Sequence, residues 1–314
     1  MRVSYHDGYV VPLPERHPFP MAKFAVLRNR LVAEGVISES EIVAPREADW
    51  ADLLLVHTRR YLDALAAGAL TKAEERRMGL PWSPALVRRS RLAVQGTLNA
   101  CWMALHDGVA GNLAGGTHHA MPDRPEGFCV LNDVAVALRS LRRAGWLRRA
   151  LVVDLDVHQG NGNAAFFGGA RAWPAGGVYT LSVHGDKNFP FDKPPSTRDV
   201  PLPDGTGDDA YLDALARHLP AALAEAEPDL VVYLGGVDVV AGDRFGRLAL
   251  SRAGLAARDR YVCETVRASG APLCLLLSGG YAARREPGQA PETLYAETAD
   301  LHATMYRQAK AVYG

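Results

Sequence analysis

Short apolar runs rich in β-branched residues alternate with longer amphipathic segments along almost the whole chain, and this alternation limits the possible fold most strongly. The short runs have the length and composition of buried strands, whereas the segments between them have the apolar spacing of helices. Strands that alternate with helices form a mainly parallel sheet covered on both faces. We therefore expect an α/β protein, a single-domain three-layer α/β/α structure that takes in residues 1–314.

The same pattern predicts seven strands and six helices. The strands are 3–6, 52–56, 112–114, 150–155, 177–183, 229–235 and 272–277. The helices are 24–34, 85–105, 132–143, 208–226, 252–269 and 292–313. The longest irregular stretch, 187–207, is rich in Pro and Gly, and in this architecture such a loop more often forms the wall of a site than a domain linker.

The charge composition excludes a strong global electrostatic field. The 314 residues include 35 Lys and Arg and 35 Asp and Glu, so the formal net charge is zero. Such a chain has no general attraction to nucleic acid or to an anionic membrane surface. No apolar run approaches the ~20 residues that a membrane-spanning helix needs. We expect local recognition, with neither a nucleic-acid nor a membrane partner, and the sequence leaves the oligomeric state open.

The cysteines indicate the cellular compartment. Cys101, Cys129, Cys263 and Cys274 are scattered and form no Cys-x-x-Cys pair. Neither a thiolate zinc knuckle nor a disulfide framework follows from this spacing. The chain also opens at Met1 without a charged and apolar leader. These features predict a cytoplasmic protein.

Two acids and a histidine occupy alternate positions where the apolar run 150–155 ends. Asp154, Asp156 and His158 come directly before Gln-Gly-Asn-Gly. Residues two apart in a strand project to the same side, and α/β proteins keep their sites at the carboxyl ends of such strands. Because a buried carboxylate without a partner is costly, a cation must face these groups. The spacing predicts half of a metal site.

A pair of adjacent histidines, His118 and His119, follows two glycines at 115–116. Neighbours on an extended segment point to opposite sides, so both rings reach one cleft only if the glycine-containing backbone turns. An isolated pair of this kind usually belongs to a surface loop. The preceding glycines and the following Gly127-Phe128 favour a shaped pocket, and we expect the two histidines to have separate roles.

Two more strand ends carry polar residues. Asp238 follows an apolar run and two glycines, and Tyr281 follows Ser-Gly-Gly after the last predicted strand. A lone Asp in this position usually caps a helix or forms a turn, and a lone Tyr is usually a packed residue. However, Asp156 and His158 need a further ligand, because a catalytic zinc ion is normally held by three side chains with water at the open position. Asp238 would complete that set.

Taken in order, these segments resemble the zinc-dependent histone deacetylase family of the arginase/deacetylase fold. They are Gly-Gly-x-His-His (115–119) with Gly-Phe-Cys-x-x-Asn-Asp (127–133), Asp-x-Asp-x-His-Gln-Gly-Asn-Gly (154–162), the Asp238 segment and Ser-Gly-Gly-Tyr (278–281). Each motif alone is moderately specific, and four in the same order over nearly the whole chain are highly specific. Gln159, Asn161 and His17-Pro-Phe are most similar to the bacterial or class IV-like branch.

The resemblance implies two kinds of bound cation. Zinc, which would polarise an amide carbonyl and acidify a bound water, would be held by Asp156, His158 and Asp238. A structural monovalent cation, usually potassium, is bound near the zinc strand in this family. The residues that match the potassium site are Asp154, Asp156, His158, Ser182 and Val183.

The resemblance also implies the catalytic roles. His119 matches the general base, which later protonates the leaving amine. His118 matches a partner that stays largely cationic and is oriented by Asp154, and Tyr281 matches a donor to the oxyanion. Asn161 departs from the commoner class I pattern, where a carboxylate supports the base histidine. Because an amide orients the ring without fully stabilising its cation, we expect His119 to have a lower pKa than with Asp there.

Substrate-contacting positions follow from the same resemblance. Phe128 matches one wall of the tunnel that holds the acyl-lysine stem, and we expect Phe189 to form the opposite wall. Lys23 lies roughly where many relatives place an Arg beside an internal channel, although an exposed helical Lys is an equal explanation. The residues that match the substrate-binding set are Gly127, Phe128, Phe189, Gly279 and Gly280.

The sequence predicts hydrolysis of an N-acyl amine, most simply acetyl-lysine in a protein or peptide. Acetylpolyamines, other small acetylated metabolites and long-chain acyl-lysines are alternative substrates, and an inactive acyl-lysine-binding or scaffold protein is an alternative of another class. Retention of both histidines, three ligands and the tyrosine argues against an inactive protein. Polyamine binding predicts acidic residues at a narrow mouth, whereas long acyl chains require a deep apolar channel.

Overall fold

The computed structural model describes residues 1–15, 17–169, 177–281 and 291–314. Within these ranges, eight strands form one sheet in which every strand pair is parallel. The strands are β1 (Val3–Ser4), β2 (Ile42–Val43), β3 (Val109–Asn112), β4 (Ala150–Asp154), β5 (Val178–Gly185), β6 (Arg198–Leu202), β7 (Leu230–Leu234) and β8 (Leu273–Leu276). Their order across the sheet is β2-β1-β3-β8-β7-β4-β5-β6.

Helices cover both faces of the sheet. They are α1 (Lys23–Ala33), α2 (Trp50–Leu53), α3 (Arg59–Ala67), α4 (Lys72–Met78), α5 (Pro84–Asp107), α6 (Asp133–Arg143), α7 (Asn161–Phe167), α8 (Asp208–Ala226), α9 (Arg252–Ser269) and α10 (Pro291–Tyr313). Helices α5 and α6 pack together in one layer, and α1, α10, α9 and α8 pack side by side in the other. The predicted α/β class, the three layers and the parallel sheet are confirmed.

The central strands explain the apolar runs of the sequence. Every residue of β4 and β7 is buried, as expected for parallel strands with helices on both faces. Long helices begin where a polar side chain can cap them: Ser83 caps α5, Asn132 caps α6 and Ser251 caps α9. No helix in the described part of the chain is both long and apolar enough to cross a membrane.

The predicted strand at 52–56 is wrong. Asp49 precedes the short helix α2, and the chain then makes a series of turns before α3. A short apolar run does not distinguish a strand from one helical turn. The sequence pattern also missed the two-residue strand β2 and the short helices α3, α4 and α7.

Strand β6 lies inside the stretch 187–207, which the sequence predicts to be irregular. It occupies the edge of the sheet beside β5, with Arg198 and Asp199 half-buried and Pro201 exposed. Charged residues and proline are tolerated on an edge strand, because one side of its backbone needs no partner. Because this segment is rich in proline and charged residues, its sequence does not show the pattern of a strand, although it contains one.

Four neighbouring strands, β3, β8, β7 and β4, form the middle of the sheet. Because all strands run in parallel, their carboxyl ends lie along one edge, and each is followed by one of the four sequence motifs. Backbone hydrogen bonds continue beyond the strands: Leu155 N–H donates to Leu234 O at 3.1 Å, and Val237 N–H donates to Gly279 O at 2.9 Å. The fold thus places all four motifs side by side.

Candidate active site

Asp156, His158 and Asp238 come together as a candidate metal centre. The three side chains are buried, and one ligand atom from each lies within 4.8 Å of the others. Asp156 and His158 lie in the loop after β4, and Asp238 lies in the loop after β7, the neighbouring strand. The zinc-ligand set predicted from the sequence is therefore assembled by the fold.

The hydrogen bonds around these acids fit a divalent cation. Asp156 Oδ2 accepts from Ser278 Oγ at 2.7 Å and from Gly279 N–H at 2.6 Å. Asp238 Oδ1 accepts from Val157 N–H at 3.0 Å, whereas Asp238 Oδ2 has no hydrogen-bond partner although it is buried. A buried carboxylate oxygen without a partner is costly. This oxygen, which lies 3.2 Å from His158 Nδ1, is available to a metal ion.

Glycine is required where the backbone passes close to the acids. A Cβ on Gly279 would collide with Asp238 Oδ2, and a Cβ on Gly236 would lie 2.6 Å from Asp156 Oδ2. The Gly-Gly pairs after β7 and β8 therefore let two loops approach the same pair of carboxylates. This is the physical reason for the glycines in the Asp238 and Ser-Gly-Gly-Tyr motifs.

The two adjacent histidines have different partners. His118 Nδ1 lies 2.8 Å from Asp154 Oδ2, and His119 Nδ1 lies 2.6 Å from Asn161 Oδ1. Their ring centroids are 4.0 Å apart. Gly115 and Gly116 have φ angles of 81° and 76°, which turn the chain just before the pair. Both rings thus reach the same region, as the sequence predicts if the backbone turns there.

These partners give the two rings opposite electrostatic environments. Burial lowers the pKa of His118, but the charges of Asp154 and Asp156 outweigh burial and raise it to about 9. Burial and the neighbouring His118 and His158 lower the pKa of His119 well below its ordinary value, and the bond to Asn161 opposes this only weakly. Two titratable groups whose pKa values are driven apart are typical of acid–base chemistry.

Asn161 orients His119 as a base. The amide oxygen of Asn161 can only accept, so in this hydrogen bond His119 Nδ1 carries the proton and Nε2 is left as an acceptor. The tautomer follows from the assigned orientation of the amide. His119 lines the same cavity as His158, so this free nitrogen belongs to the candidate metal centre.

Tyr281 follows β8 and lines the cavity together with His119 and His158. Its ring centroid lies 6.4 Å from that of His158. Burial, followed by the negative charges of Asp156 and Asp238, raises the pKa of the hydroxyl well above its ordinary value. The hydroxyl therefore stays protonated and can act as a hydrogen-bond donor.

Sequence reasoning missed how Tyr281 is held. Its N–H donates to Asp243 Oδ2 at 2.9 Å, while Asp243 Oδ1 accepts from the N–H groups of Phe245 at 2.8 Å and Gly246 at 3.1 Å. Asp243 shapes the loop that follows it, and its link to Tyr281 has no signal in the sequence. Phe245 was also missed, and its ring packs 5.0 Å from Tyr281 between centroids.

Lys23 is not the exposed helical lysine that the sequence allowed. It is fully buried, and its Nζ donates to Gly280 O at 3.1 Å and lies 3.2 Å from His302 Nε2. Burial lowers its pKa to about 8, although the charges of Asp238 and Asp156 oppose this. Lys23 therefore fixes the peptide that precedes Tyr281.

A cavity of about 420 Å³ leads from the surface to His119, His158 and Tyr281. Gly127, Phe128 and Phe189 line this cavity, as the sequence predicts, and Phe245 adds to its wall. Phe128 packs against Tyr281 with centroids 5.7 Å apart, and Phe189 packs edge-on against His119 at 5.0 Å. The result is an aromatic channel with polar groups at its base.

The glycines predicted to contact substrate differ in position. Gly127 has a φ of 55°, and a Cβ there would lie 2.6 Å from His119 Cδ2, so the backbone lies directly on the ring. Gly279 lines a second, inner cavity of about 30 Å³ beyond the histidines. Gly280 lines neither cavity, because the space at its Cα is closed by Val237 and His302.

The residues predicted for the potassium site lie next to one another. Asp154 pairs with Ser182 in the register of β4 and β5, and Val183 is the next residue along β5. Asp154 Oδ2 forms a hydrogen bond with His118 Nδ1 at 2.8 Å, and Asp154 Oδ1 accepts from Asp156 N–H at 3.3 Å. The backbone carbonyl groups remain the candidate ligands of a monovalent cation.

Three buried side chains that could hold one metal ion, beside a histidine with a free nitrogen in the same cavity, are typical of one class of protein, the metal-dependent hydrolases. Comparison with known proteins makes this more specific. Residues 17–295 match the family model described as "Histone deacetylase domain". The chain therefore belongs to the histone deacetylase family and is a hydrolytic deacetylase. Membership of this family also implies a metal-dependent enzyme.

Individual relatives agree with this assignment. An uncharacterised protein of a Picosynechococcus species is 46% identical over 280 residues, which are 89% of this chain and 92% of that protein. Histone deacetylase 2 of Arabidopsis thaliana is 31% identical over 88% of this chain and 73% of its own. The crystal structure of an HDAC homologue complexed with SAHA is 27% identical, with a TM-score of 0.74 over 100% of this chain and 88% of that one.

Proposed function

We propose that this deacetylase removes the acetyl group from acetyl-lysine side chains of proteins or peptides. The observation that carries the proposal is the hydrogen bond from His119 Nδ1 to Asn161 Oδ1, at 2.6 Å, which leaves Nε2 as a base in the cavity that His158 lines. The aromatic channel above it fits the narrow aliphatic stem of a lysine. Residues 1–314 would act as one catalytic domain in the cytoplasm, where the four buried, unpaired cysteines would remain reduced.

Asp156, His158 and Asp238 would hold a zinc ion, as the unpartnered oxygen of Asp238 supports. When bound, zinc supplies Lewis-acid polarisation of the amide carbonyl and acidifies water. A potassium ion near Asp154, Asp156, His158, Ser182 and Val183 would have a structural role. Carbonyl oxygens suit such a hard cation better than nitrogen or sulfur ligands do.

The protein side chains would carry the proton transfers. His119 Nε2 accepts a proton from the attacking water and later delivers it to the departing amine nitrogen. His118, held by Asp154, stays cationic and stabilises the negative charge that develops on the amide oxygen. The hydroxyl of Tyr281 donates a hydrogen bond to the same oxygen. No covalent intermediate with the protein is required.

The inner cavity favours a short acyl group. It shares His119, Gly127, Phe128 and Tyr281 with the outer cavity, so it is the space into which an acyl chain beyond the carbonyl would extend. Its volume is about 30 Å³, against about 420 Å³ for the outer cavity. The small size of this cavity favours an acetyl group over a long fatty chain as the acyl part of the substrate.

Purified zinc-loaded protein should release acetate from acetyl-lysine peptides and leave myristoyl-lysine peptides largely intact. His119→Ala should reduce kcat by at least about a hundredfold, because it removes the base. Arg217→Gln is a suitable control, because Arg217 is an exposed residue in the middle of α8 that lines neither cavity. Wild-type turnover by His119→Ala, or activity that survives complete zinc removal, would refute the mechanism.

A further inference from the structure

Basic side chains surround the mouth of the outer cavity. Arg76, Arg77, Lys187 and Arg247 line it, and Glu126 is the one acidic side chain among the described residues that do so. The chain as a whole has a formal net charge of zero. The positive charge at the mouth is therefore a local feature and does not reflect a basic protein.

Few acidic groups neutralise these cations. Arg76, Arg77 and Lys187 are exposed, and in the described part of the chain none of them forms an ion pair. Arg247 pairs with Asp204 at 3.2 Å, but its side chain is 54% exposed and the pair is weakly held. Glu126 already has a cation beside it, because Arg124 Nε lies 3.6 Å from its Oε2.

The arginines are attached directly to the wall of the channel. The carbonyl of Arg77 accepts from Gly127 N–H at 2.9 Å, and the carbonyl of Met78 accepts from Phe128 N–H at 2.9 Å. The end of α4 is thus tied to the segment that grips the substrate stem. Charges on this helix end stay beside the entrance rather than on a separate part of the surface.

Cations in the last turn of α4 also suit the helix dipole, which would explain Arg76 and Arg77 without any ligand. This explanation does not extend to Lys187 and Arg247, which come from two other loops and converge on the same opening. Three separate segments that place cations around one mouth produce a focused positive field.

We propose that this basic mouth selects acyl-lysine peptides in which Asp or Glu residues flank the modified lysine. The inference rests on the proposed deacetylase function and specifies its substrate class. Flanking carboxylates would lie among the cations while the neutral acetyl-lysine stem enters the aromatic channel. Acetylpolyamines, which carry positive amines outside the channel, are repelled by the same field.

The test uses three acetyl-lysine peptides that differ only in the flanking residues, which are Glu, Gln or Lys. At low ionic strength, kcat/KM for the Glu peptide should exceed that for the Lys peptide roughly tenfold, mainly through KM. The ratio should shrink at high ionic strength, because exposed charges are screened beyond about 8 Å at physiological salt. Acetylspermidine should be a poorer substrate than the Gln peptide.

A triple variant, Arg76→Gln with Arg77→Gln and Lys187→Gln, should reduce the Glu-to-Lys ratio to about twofold or less. Because both rates come from one preparation, the ratio does not depend on the fraction of folded protein. Arg217→Gln, which removes a positive charge from an exposed residue that does not line the cavity, should leave the ratio unchanged. Equal rates for all three peptides, or a preference for the Lys peptide, would overturn the inference while the deacetylase function stands. Failure to hydrolyse even the Gln peptide would instead refute the proposed function.

Discussion

The two adjacent histidines have opposite pKa shifts, and their hydrogen-bond partners differ in charge. Asp154 offers a charged oxygen to His118, whereas Asn161 offers a neutral oxygen to His119. The neutral partner fixes the ring of His119 with its proton on Nδ1 but does not stabilise a second proton, so Nε2 remains a base near neutral pH. Replacing the amide of Asn161 by a carboxylate changes one heavy atom. It should therefore shift the pH profile of kcat/KM while the fold stays the same.

Asn161→Asp should move the acidic limb of the kcat/KM profile to higher pH. A carboxylate would stabilise the cationic ring and raise the pKa of His119, so less of the neutral base would be present at a given acidic pH. An opposite charge in hydrogen-bond contact shifts a pKa by roughly one to two units. The measurement is kcat/KM against pH for both proteins with one acetyl-lysine peptide.

The fold should tolerate this change, because residue 161 begins α7, where a negative charge interacts favourably with the helix dipole. Equal unfolding midpoints for the two proteins would verify this. An acidic limb that stays at the same pH would show that His119 is not the titrating base.

At the scale of single residues, the sequence identifies those whose chemistry is visible in a short motif. Asp156 and His158 are two positions apart, and their place at the end of an apolar run made them conspicuous. Lys23 and Asp243 were not found as supports of Tyr281, since Lys23 lies 257 positions from the carbonyl that it binds. Contacts of that separation depend on the path of the chain and leave no local pattern.

At the scale of elements, helix α9 joins the two loops that provide the acids. Arg258 is completely buried, and its Nη1 donates to Leu155 O at 3.2 Å and to Gly236 O at 2.7 Å. Leu155 directly precedes Asp156, and Gly236 lies two positions before Asp238. The guanidinium is neutralised by Asp259, whose Oδ1 accepts from Arg258 Nη2 at 2.8 Å. One helix thereby fixes the ends of β4 and β7.

Arg258→Met should lower the free energy of unfolding by about 3–5 kcal/mol, because it leaves a buried Asp259 without its cation. Urea denaturation of the metal-free protein measures this loss. Arg260→Met, in the same helix, breaks an exposed pair with Glu264 and should cost less than about 0.5 kcal/mol.

A double variant, Arg258→Met with Asp259→Leu, should be more stable than Arg258→Met alone, since it removes the unpaired buried charge. If Arg258→Met were as stable as the wild-type protein, the buried pair of Arg258 and Asp259 would not stabilise the loops after β4 and β7.

The long elements were predictable because their patterns are long. Both α8 and α9 begin and end at the predicted residues, and α5 extends the prediction by one residue at its start and two at its end. The failures concern short elements: 52–56 formed a helical turn, and β6 with its charges and proline had no strand signal. A few residues carry too little periodicity to outweigh tertiary context.

At the scale of the whole molecule, strand order determines which motifs meet. Along the chain the motifs follow β3, β4, β7 and β8, but across the sheet these strands lie in the order β3, β8, β7, β4. The last two motifs therefore fill the gap between the first two. The sequence predicted that all four lie at one edge, as parallel strands require, while their spatial order depends on crossovers that no local pattern encodes.

The assembly of these motifs couples metal binding to global stability. Two buried carboxylates lie within 4.8 Å of each other around His158, and one oxygen of Asp238 has no hydrogen bond. Such a cluster is costly in the absence of a cation, so a metal ion that binds only the folded protein must stabilise the whole domain.

Zinc should raise the unfolding temperature of the metal-free protein, and differential scanning calorimetry with and without chelator measures this shift. At a free zinc concentration a hundredfold above Kd the stabilisation is about 2.7 kcal/mol, which corresponds to roughly 4 °C for a chain of this length. Asp238→Asn should remove most of the shift, because it removes a charged ligand. Because the substitution also removes the charge that faces His158 at 3.2 Å, each protein's unfolding temperature without metal is its own baseline for the shift. Equal zinc-induced shifts in both proteins would exclude Asp238 from the metal site.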